Sequence, residues 1–234
     1  MRTYASVARF ALSAPKRFSH LHRVKKARLT YLSYSRLIHL SRVVRRLEQQ
    51  TVPGIFVETG CALGGSAIVI SLNKAQQRPF HIYDTFGLIP PPSSHDADDA
   101  QERYEAIRRG CAKGIAEDTY YGYQENLLEK VVQTFHAFDL PPEDHRIHFH
   151  QGLFADVLQV DQPVALAHID SDWYDSITVC LARVVPHVSL KGVIVIDDYY
   201  DWEGARRAVD DFFVGRKDRF RFDYGGHLRI TRIA

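Results

Sequence analysis

The chain has 234 residues, 45% of them hydrophobic and 25% charged, a composition that excludes a disordered or fibrous protein and fits one large globular domain with an appended segment. Three widely spaced cysteines, Cys61, Cys111 and Cys180, argue against a zinc module or a secreted disulfide scaffold and point to a reducing, cytoplasmic setting. No apolar run reaches the roughly 18 residues of a membrane span.

The net charge of +2 conceals an asymmetry. Residues 1–47 hold twelve Lys and Arg and no Asp or Glu, which leaves 18 basic against 28 acidic residues, a formal −10, in the remainder. Such a head suits nucleic acid, anionic lipid or an acidic substrate, and it shares the Arg-rich, acid-free make-up of transit peptides. The plainest reading is a basic, largely helical extension over residues 1–50, packed on an acidic body over 51–234.

In chain order, residues 1–20 show weak periodicity and are expected to be loosely ordered. From Leu29 to Leu47 the apolar positions recur at helical spacing, until Pro53-Gly54 breaks the pattern. Ile55-Phe56-Val57 reads as a buried strand, Gly60 to Gly65 as a turn, and Ser66 to Lys74 as a helix. A second strand, Phe80 to Tyr83, ends at Asp84. Residues 88–145 read as a lid or acceptor insertion: a Pro- and Ser-rich loop, a polar stretch without strand pattern, and an amphipathic helix over Asn126–Phe138. Strands follow at Arg146–His150, Val164–Ile169 and Gly192–Ile196, with helices at Tyr174–Val185 and Ala205–Phe213. Phe220–Tyr224 and Leu228–Ile233 alternate about Gly225-Gly226, a hairpin signal.

Strands alternating with helices imply a mostly parallel α/β sheet with helices on both faces. Seven strands ending in an antiparallel hairpin resemble the Rossmann-like class I methyltransferases. In such a sheet ligands bind at the carboxyl ends of the strands. Those ends carry Glu58, Asp84, Gln151, Asp170 and Asp197-Asp198. Glu58 precedes the Gly60–Gly65 turn, where it would repel a pyrophosphate and suit a ligand with an amine and a sulfonium. Asp84 is placed to accept the hydroxyls of a ribose. Asp170 and Asp197-Asp198 end strands expected to be adjacent, about 4.8 Å apart. Carboxylates that close raise one another's pKa unless a hard cation such as Mg²⁺ neutralises them. His148 and His150 share a strand face and read as a packed pair. Trp173 and Tyr174 are candidates for an acceptor pocket, and Tyr120, Tyr121 and Tyr123 for a lid.

The chain also resembles a known family. Phe56-Val57-Glu58-Thr59-Gly60 with Gly64-Gly65-Ser66, Tyr83-Asp84-Thr85-Phe86-Gly87-Leu88, Gln151-Gly152-Leu153-Phe154, Asp170-Ser171-Asp172-Trp173-Tyr174-Asp175-Ser176 and Asp197-Asp198-Tyr199 are similar to the macrocin O-methyltransferases of antibiotic biosynthesis. The placement of the paired acids also resembles catechol O-methyltransferase. The resemblance implies S-adenosylmethionine as methyl donor, a divalent cation such as Mg²⁺, and a small-molecule hydroxyl acceptor, often on a sugar. It implies a donor site of Glu58, Thr59, Gly60, Gly64, Gly65, Ser66, Asp84 and Gln151. It implies Asp170, Asp197 and Asp198 as the metal ligands. Of these, Asp170 is the candidate to accept the hydroxyl proton as well. Rival readings are a nucleic-acid methyltransferase, disfavoured by the lack of an Asn-Pro-Pro-Tyr-type base pocket, and a non-catalytic nucleoside-binding protein, disfavoured by the acidic triad. A nicotinamide dehydrogenase is disfavoured by the glycine spacing. A homo-oligomer is compatible with the sequence.

Overall fold

The computed structural model describes the backbone of residues 2–234 and the side chains of residues 5–234. Two helices, α1 (Arg2–Ser13) and α2 (Pro15–Lys26), precede α3 (Tyr34–Gln49). The expectation of a loosely ordered start is therefore wrong over the described residues. Phe10 is 1% exposed, and with Ala14, Leu21 and Val24 it belongs to the main core alongside Leu37, Leu40 and Val44 of α3. The guanidiniums of Arg17 and Arg42 each lie 5.2 Å from its ring centroid, so cations also flank the ring. Helix α3 starts later than the apolar pattern suggests, where the Ser33 hydroxyl accepts from the Arg36 N–H at 3.3 Å. Leu29–Leu32 instead run as a connecting segment across the next helix.

The body alternates as expected: β1 (Ile55–Thr59), α4 (Gly65–Ser71), β2 (Phe80–Asp84), α5 (Asp98–Arg108), α6 (Leu127–Ala137), β3 (Ile147–Gln151), α7 (Phe154–Val157), β4 (Val164–Ile169), α8 (Tyr174–Val184), β5 (Val188–Ile196), α9 (Glu203–Phe212), β6 (Phe220–Tyr224) and β7 (Leu228–Arg232). The strands form one seven-stranded sheet in the order β3-β2-β1-β4-β5-β7-β6. Strands β1 to β5 run parallel, and β7 lies antiparallel between β5 and β6. All residues of β1 and β4 are buried, as a parallel sheet covered on both faces requires. One face packs against α1–α4 and α6, the other against α8 and α9.

Helix α5 escaped the sequence pattern because only Ala100 and Ile107 of its eleven residues are buried, too few for a stripe. Helix α6 buries Leu127, Val131 and Phe135 in the main core, so the part of residues 88–145 that stands over the sheet is the stretch around Ile107, Ala112 and Tyr120. No described helix is long and apolar enough to cross a membrane. Because Phe10 is sealed into the core, Phe10→Ala should lower stability by about 3–5 kcal/mol. Urea titration reads this directly, and an unchanged midpoint would mean that the first helix is a loose arm after all.

Candidate active site

The order of strands reverses between β1 and β4, and a cavity of about 600 Å³ opens at the carboxyl ends of the strands there. Gly60 follows β1 with φ 85°, and its backbone touches the residue after β4. A Cβ at Gly60 would lie 1.6 Å from the Asp170 carbonyl oxygen, so no side chain fits. Gly64, φ 86°, caps the start of α4. Gly65 donates its N–H to the Leu29 carbonyl at 3.0 Å, and a Cβ there would meet that oxygen at 2.4 Å. The connecting segment thus crosses the start of α4, and Leu29, Thr30, Tyr31 and Leu32 form one wall of the cavity. Nothing in the motif reading pointed to this wall; the only available signal was the apolar stripe before Ser33.

The expected donor residues divide into two groups. Gly60, Ser66 and Asp84 line the cavity, together with Cys61, Ala62 and Thr85. Glu58, Thr59, Gly64, Gly65 and Gln151 stand outside its lining. Glu58 was expected to face the ligand, but it is fully buried, and its Oε1 lies 2.7 Å from His168 Nδ1 on the neighbouring strand. The reason is strand alternation: Glu58 points to the face covered by α3 and α4, level with His168. The hydrogen bond to Glu58 and its charge raise the His168 pKa against the opposing effect of burial. His168 also stays out of the cavity, and the pair leaves Glu58 Oε2 and His168 Nε2 without partners.

Thr59 Oγ1 lies 2.9 Å from the Ser171 hydroxyl behind the loop. Gln151 is exposed and donates from Nε2 to the Thr85 carbonyl at 3.2 Å. Asp84 shapes the loop itself. Its Oδ2 accepts from the N–H groups of Cys61, 2.5 Å, and Ala62, 2.9 Å, while Oδ1 accepts from Phe86 N–H at 2.7 Å. Burial nonetheless holds the Asp84 carboxyl above its usual range.

The acidic residues converge as the strand ends require. One oxygen each from Asp170, Asp197 and Asp198 lies within 4.8 Å of the others. Burial first, then the charges of Asp198 and Asp197, push Asp170 well above the ordinary carboxylate range. Asp198 is pushed up by burial and by Asp172 and Asp197. Asp197 moves the other way. Burial would raise it, but its hydrogen bond with His227 and the positive charges of His168 and Arg36 outweigh that. Arg36 of α3 donates from Nη1 to Asp197 Oδ2 at 3.1 Å and to Asp201 Oδ2 at 2.7 Å, and from Nε to the Gly226 carbonyl at 2.9 Å. His227 in turn contacts His39 of α3. Arg36 and His227 belong to no motif with Asp197, from which they lie about 160 and 30 residues away along the chain.

The outer half of the cavity is aromatic. Trp173 and Trp202 meet edge to face at 5.4 Å, and Tyr120, Tyr121 and Tyr31 stand opposite. Trp173 Nε1 donates to the Pro90 carbonyl at 2.9 Å, and Trp202 Nε1 to Asp172 Oδ1 at 2.9 Å. Tyr174 turns away to Asp211, and Tyr123 donates its hydroxyl to the Ile107 carbonyl, so neither lines the cavity. His148 and His150 stack with His81 as a packed group.

A mostly parallel seven-stranded sheet with a reversed hairpin strand, a glycine turn at its switch point and an acidic cluster beside it defines a class I methyltransferase. The chain belongs to the macrocin-O-methyltransferase (TylF) family, which it matches over residues 2–219. The match takes in the basic N-terminal helices and strands β1 to β5, and stops short of the terminal hairpin. The chain is accordingly an S-adenosylmethionine-dependent O-methyltransferase. It is 26% identical over 205 residues to the demethyldecarbamoylnovobiocin O-methyltransferase of Streptomyces niveus, covering 85% of this chain and 71% of that protein. It is 29% identical over 191 residues to an 8-demethyl-8-(2,3-dimethoxy-alpha-L-rhamnosyl)-tetracenomycin-C 4'-O-methyltransferase of Streptomyces olivaceus, covering 78% and 67%. Among solved structures, the O-methyltransferase NovP superposes with a TM-score of 0.73 at 24% identity over 88% of this chain and 83% of that one. The calicheamicin methyltransferase CalS11 superposes at 0.64 with 14% identity over 99% and 91%. At these identities the superpositions speak for the fold.

Two outcomes test the geometry. Gly60→Ala should prevent β1 and β4 from closing the switch point, and circular dichroism or loss of soluble protein will register it. Burial holds the Asp172 carboxyl up at about 6. A carboxyl raised on folding stabilises the fold in its protonated form, and that contribution is lost as pH climbs from about 4 through about 6. Asp172→Asn keeps an acceptor for Trp202 and carries no charge. In chelator, its melting temperature should therefore gain on the parent protein across that window and run parallel above it. A constant gap would show that Asp172 titrates normally.

Proposed function

We propose that this chain methylates a hydroxyl of a sugar borne by a small natural product, with a divalent cation held by Asp170, Asp197 and Asp198. The observation that carries the reading is the acidic cluster at the floor of an aromatic-walled cavity beside the glycine turn. The donor set is all oxygen, which suits a hard ion such as Mg²⁺. Asp197 is already partly neutralised by Arg36, and Asp170 and Asp198 hold the charge that a cation would offset. A relative that acts on a rhamnosyl group supports a sugar acceptor.

The donor supplies an electrophilic methyl group, and the cation supplies a Lewis acid that lowers the pKa of a hydroxyl. The protein's own groups do the rest. Asp84 draws the Cys61 and Ala62 N–H groups inward and so fixes the turn that a nucleoside must meet. Trp173, Trp202, Tyr120 and Tyr121 exclude water and offer flat faces to the apolar side of a sugar ring. Asp170 follows β4 beside the glycine turn and contributes its carboxylate to the cluster, which supports it as the group that takes the hydroxyl proton. Holding oxygen, methyl carbon and sulfur in line supplies much of the barrier reduction, on the order of 7–11 kcal/mol.

Asp198→Ala should lower turnover of a deoxysugar-bearing acceptor by about a hundredfold or more, and should leave the calorimetric affinity for S-adenosylhomocysteine nearly unchanged. Chelator should act like the substitution, and added Mg²⁺ should restore only the parent protein. Turnover indifferent to both chelator and Asp198→Ala would remove the cation from the mechanism.

A further inference from the structure

A second concavity, about 350 Å³, lies at the end of β5 remote from Asp197. One wall is the last two turns of α3, with Val43, Arg46 and Leu47, and Gln50 just beyond its end; the other is the side of β6 and β7 that carries Arg221, Arg229 and Thr231. Five cations line it, Arg46, Lys191, Arg221, Arg229 and Arg232, and no carboxylate does. The acid beside it, Asp223, spends a single oxygen on both Arg221, 3.3 Å, and Arg229, 2.8 Å. Arg232 is engaged by the carbonyls of Val188 and Ala234. Among the described residues, Arg46 and Lys191 have no side-chain hydrogen bond or ion pair.

Two further observations show that this is more than a solvated face. Lys191 has φ 67° inside β5, where the register against β4 shifts. Such a bulge re-aims a side chain, and a lysine in the left-handed region is strain that persists only where the surroundings enforce it. The positive surface also continues beyond the bay. His39 lies in the field of both Arg229 and Arg42, and Arg42 crowds with Arg45 around Arg17. The Arg17 guanidinium is held below its usual range by burial and by those two neighbours. Asp223 offsets part of the charge of Arg221 and Arg229, and the remaining cations repel one another until an anion arrives.

The residue types select among anions. A carboxylate is planar, and one guanidinium fork uses both of its oxygens. Here guanidiniums approach from a helix and from two strands, which calls for a tetrahedral anion with more acceptor oxygens. We infer that this bay is a binding site for a phosphate-bearing ligand, its phosphate groups held between Arg46, Lys191, Arg221 and Arg229 over an apolar floor. Leu190 and Ile233, both exposed at its rim, accommodate an apolar portion of the same ligand. The site is separate from the methyl-transfer cavity and stands whether or not that reaction is metal-assisted.

The test uses the full chain with sodium tripolyphosphate, in calorimetry and thermal melts at matched ionic strength. Tripolyphosphate should bind and raise the melting temperature. The double charge reversal Arg46→Glu with Lys191→Glu should weaken binding by about a hundredfold, roughly tenfold for each charged contact removed. Both residues are exposed and unpaired, so the variant should fold and should bind S-adenosylhomocysteine like its parent. A single-stranded RNA oligomer distinguishes the source of the phosphate. If it binds more tightly than tripolyphosphate, with a steep salt dependence abolished by the same variant, the ligand is a nucleic-acid backbone. If it binds no better, the ligand is a compact phosphorylated compound. Absence of binding by both probes, binding unaffected by the double variant, or equal affinity for polyglutamate would each overturn the proposal.

Discussion

Three carboxyl groups forced within 4.8 Å of one another are the constraint to which the rest of this site responds. The parallel sheet brings them together because β4 and β5 are neighbours in register, so that Ile169 and Ile196 pair and the residues following them converge. Charge at that density in a buried place is costly unless it is protonated or neutralised. The chain supplies part of the answer from a distance: Arg36 from the N-terminal helices and His227 from the C-terminal hairpin both turn toward Asp197. Asp170 and Asp198 receive no such cation, and burial and the neighbouring carboxylates push both well above the ordinary carboxylate range.

The N-terminal segment is consequently part of the site. Leu29 anchors it on the N–H of Gly65. Arg28 pairs with both oxygens of Asp118 at 2.9 Å, and Tyr31 meets Tyr121 edge to face at 6.3 Å, so one short stretch of chain ties the glycine turn to the cover of the acceptor side. The glycine turn and the aromatic half of the cavity therefore share a wall. The same segment brings the arginines of α2 and α3 onto the body, which explains how a chain with a net charge of only +2 presents a strongly cationic surface at one end and an acidic cavity at the other.

The alternation of buried strands and helices, the glycine turn, the terminal hairpin and the strand-end acids were all legible in the sequence, because each rests on local periodicity or on a motif contiguous in the chain. Asp170, Asp197 and Asp198 could be placed together since strand ends in a parallel sheet share one edge. What local pattern could not supply were the non-local contacts. The face to which Glu58 points depends on pairing with His168, 110 residues on. The donors that hold Asp84 come from a turn more than 20 residues earlier. The order of residues 5–20 rests on Phe10 packing into a core made with α3, far along the chain. Local pattern thus determined the elements, their order and the residue types at the strand ends. Only the tertiary structure decided which of those side chains face the cavity, which are sealed behind it, and which distant cations offset their charge, because Coulomb energy and burial depend on distances in space that chain spacing does not encode.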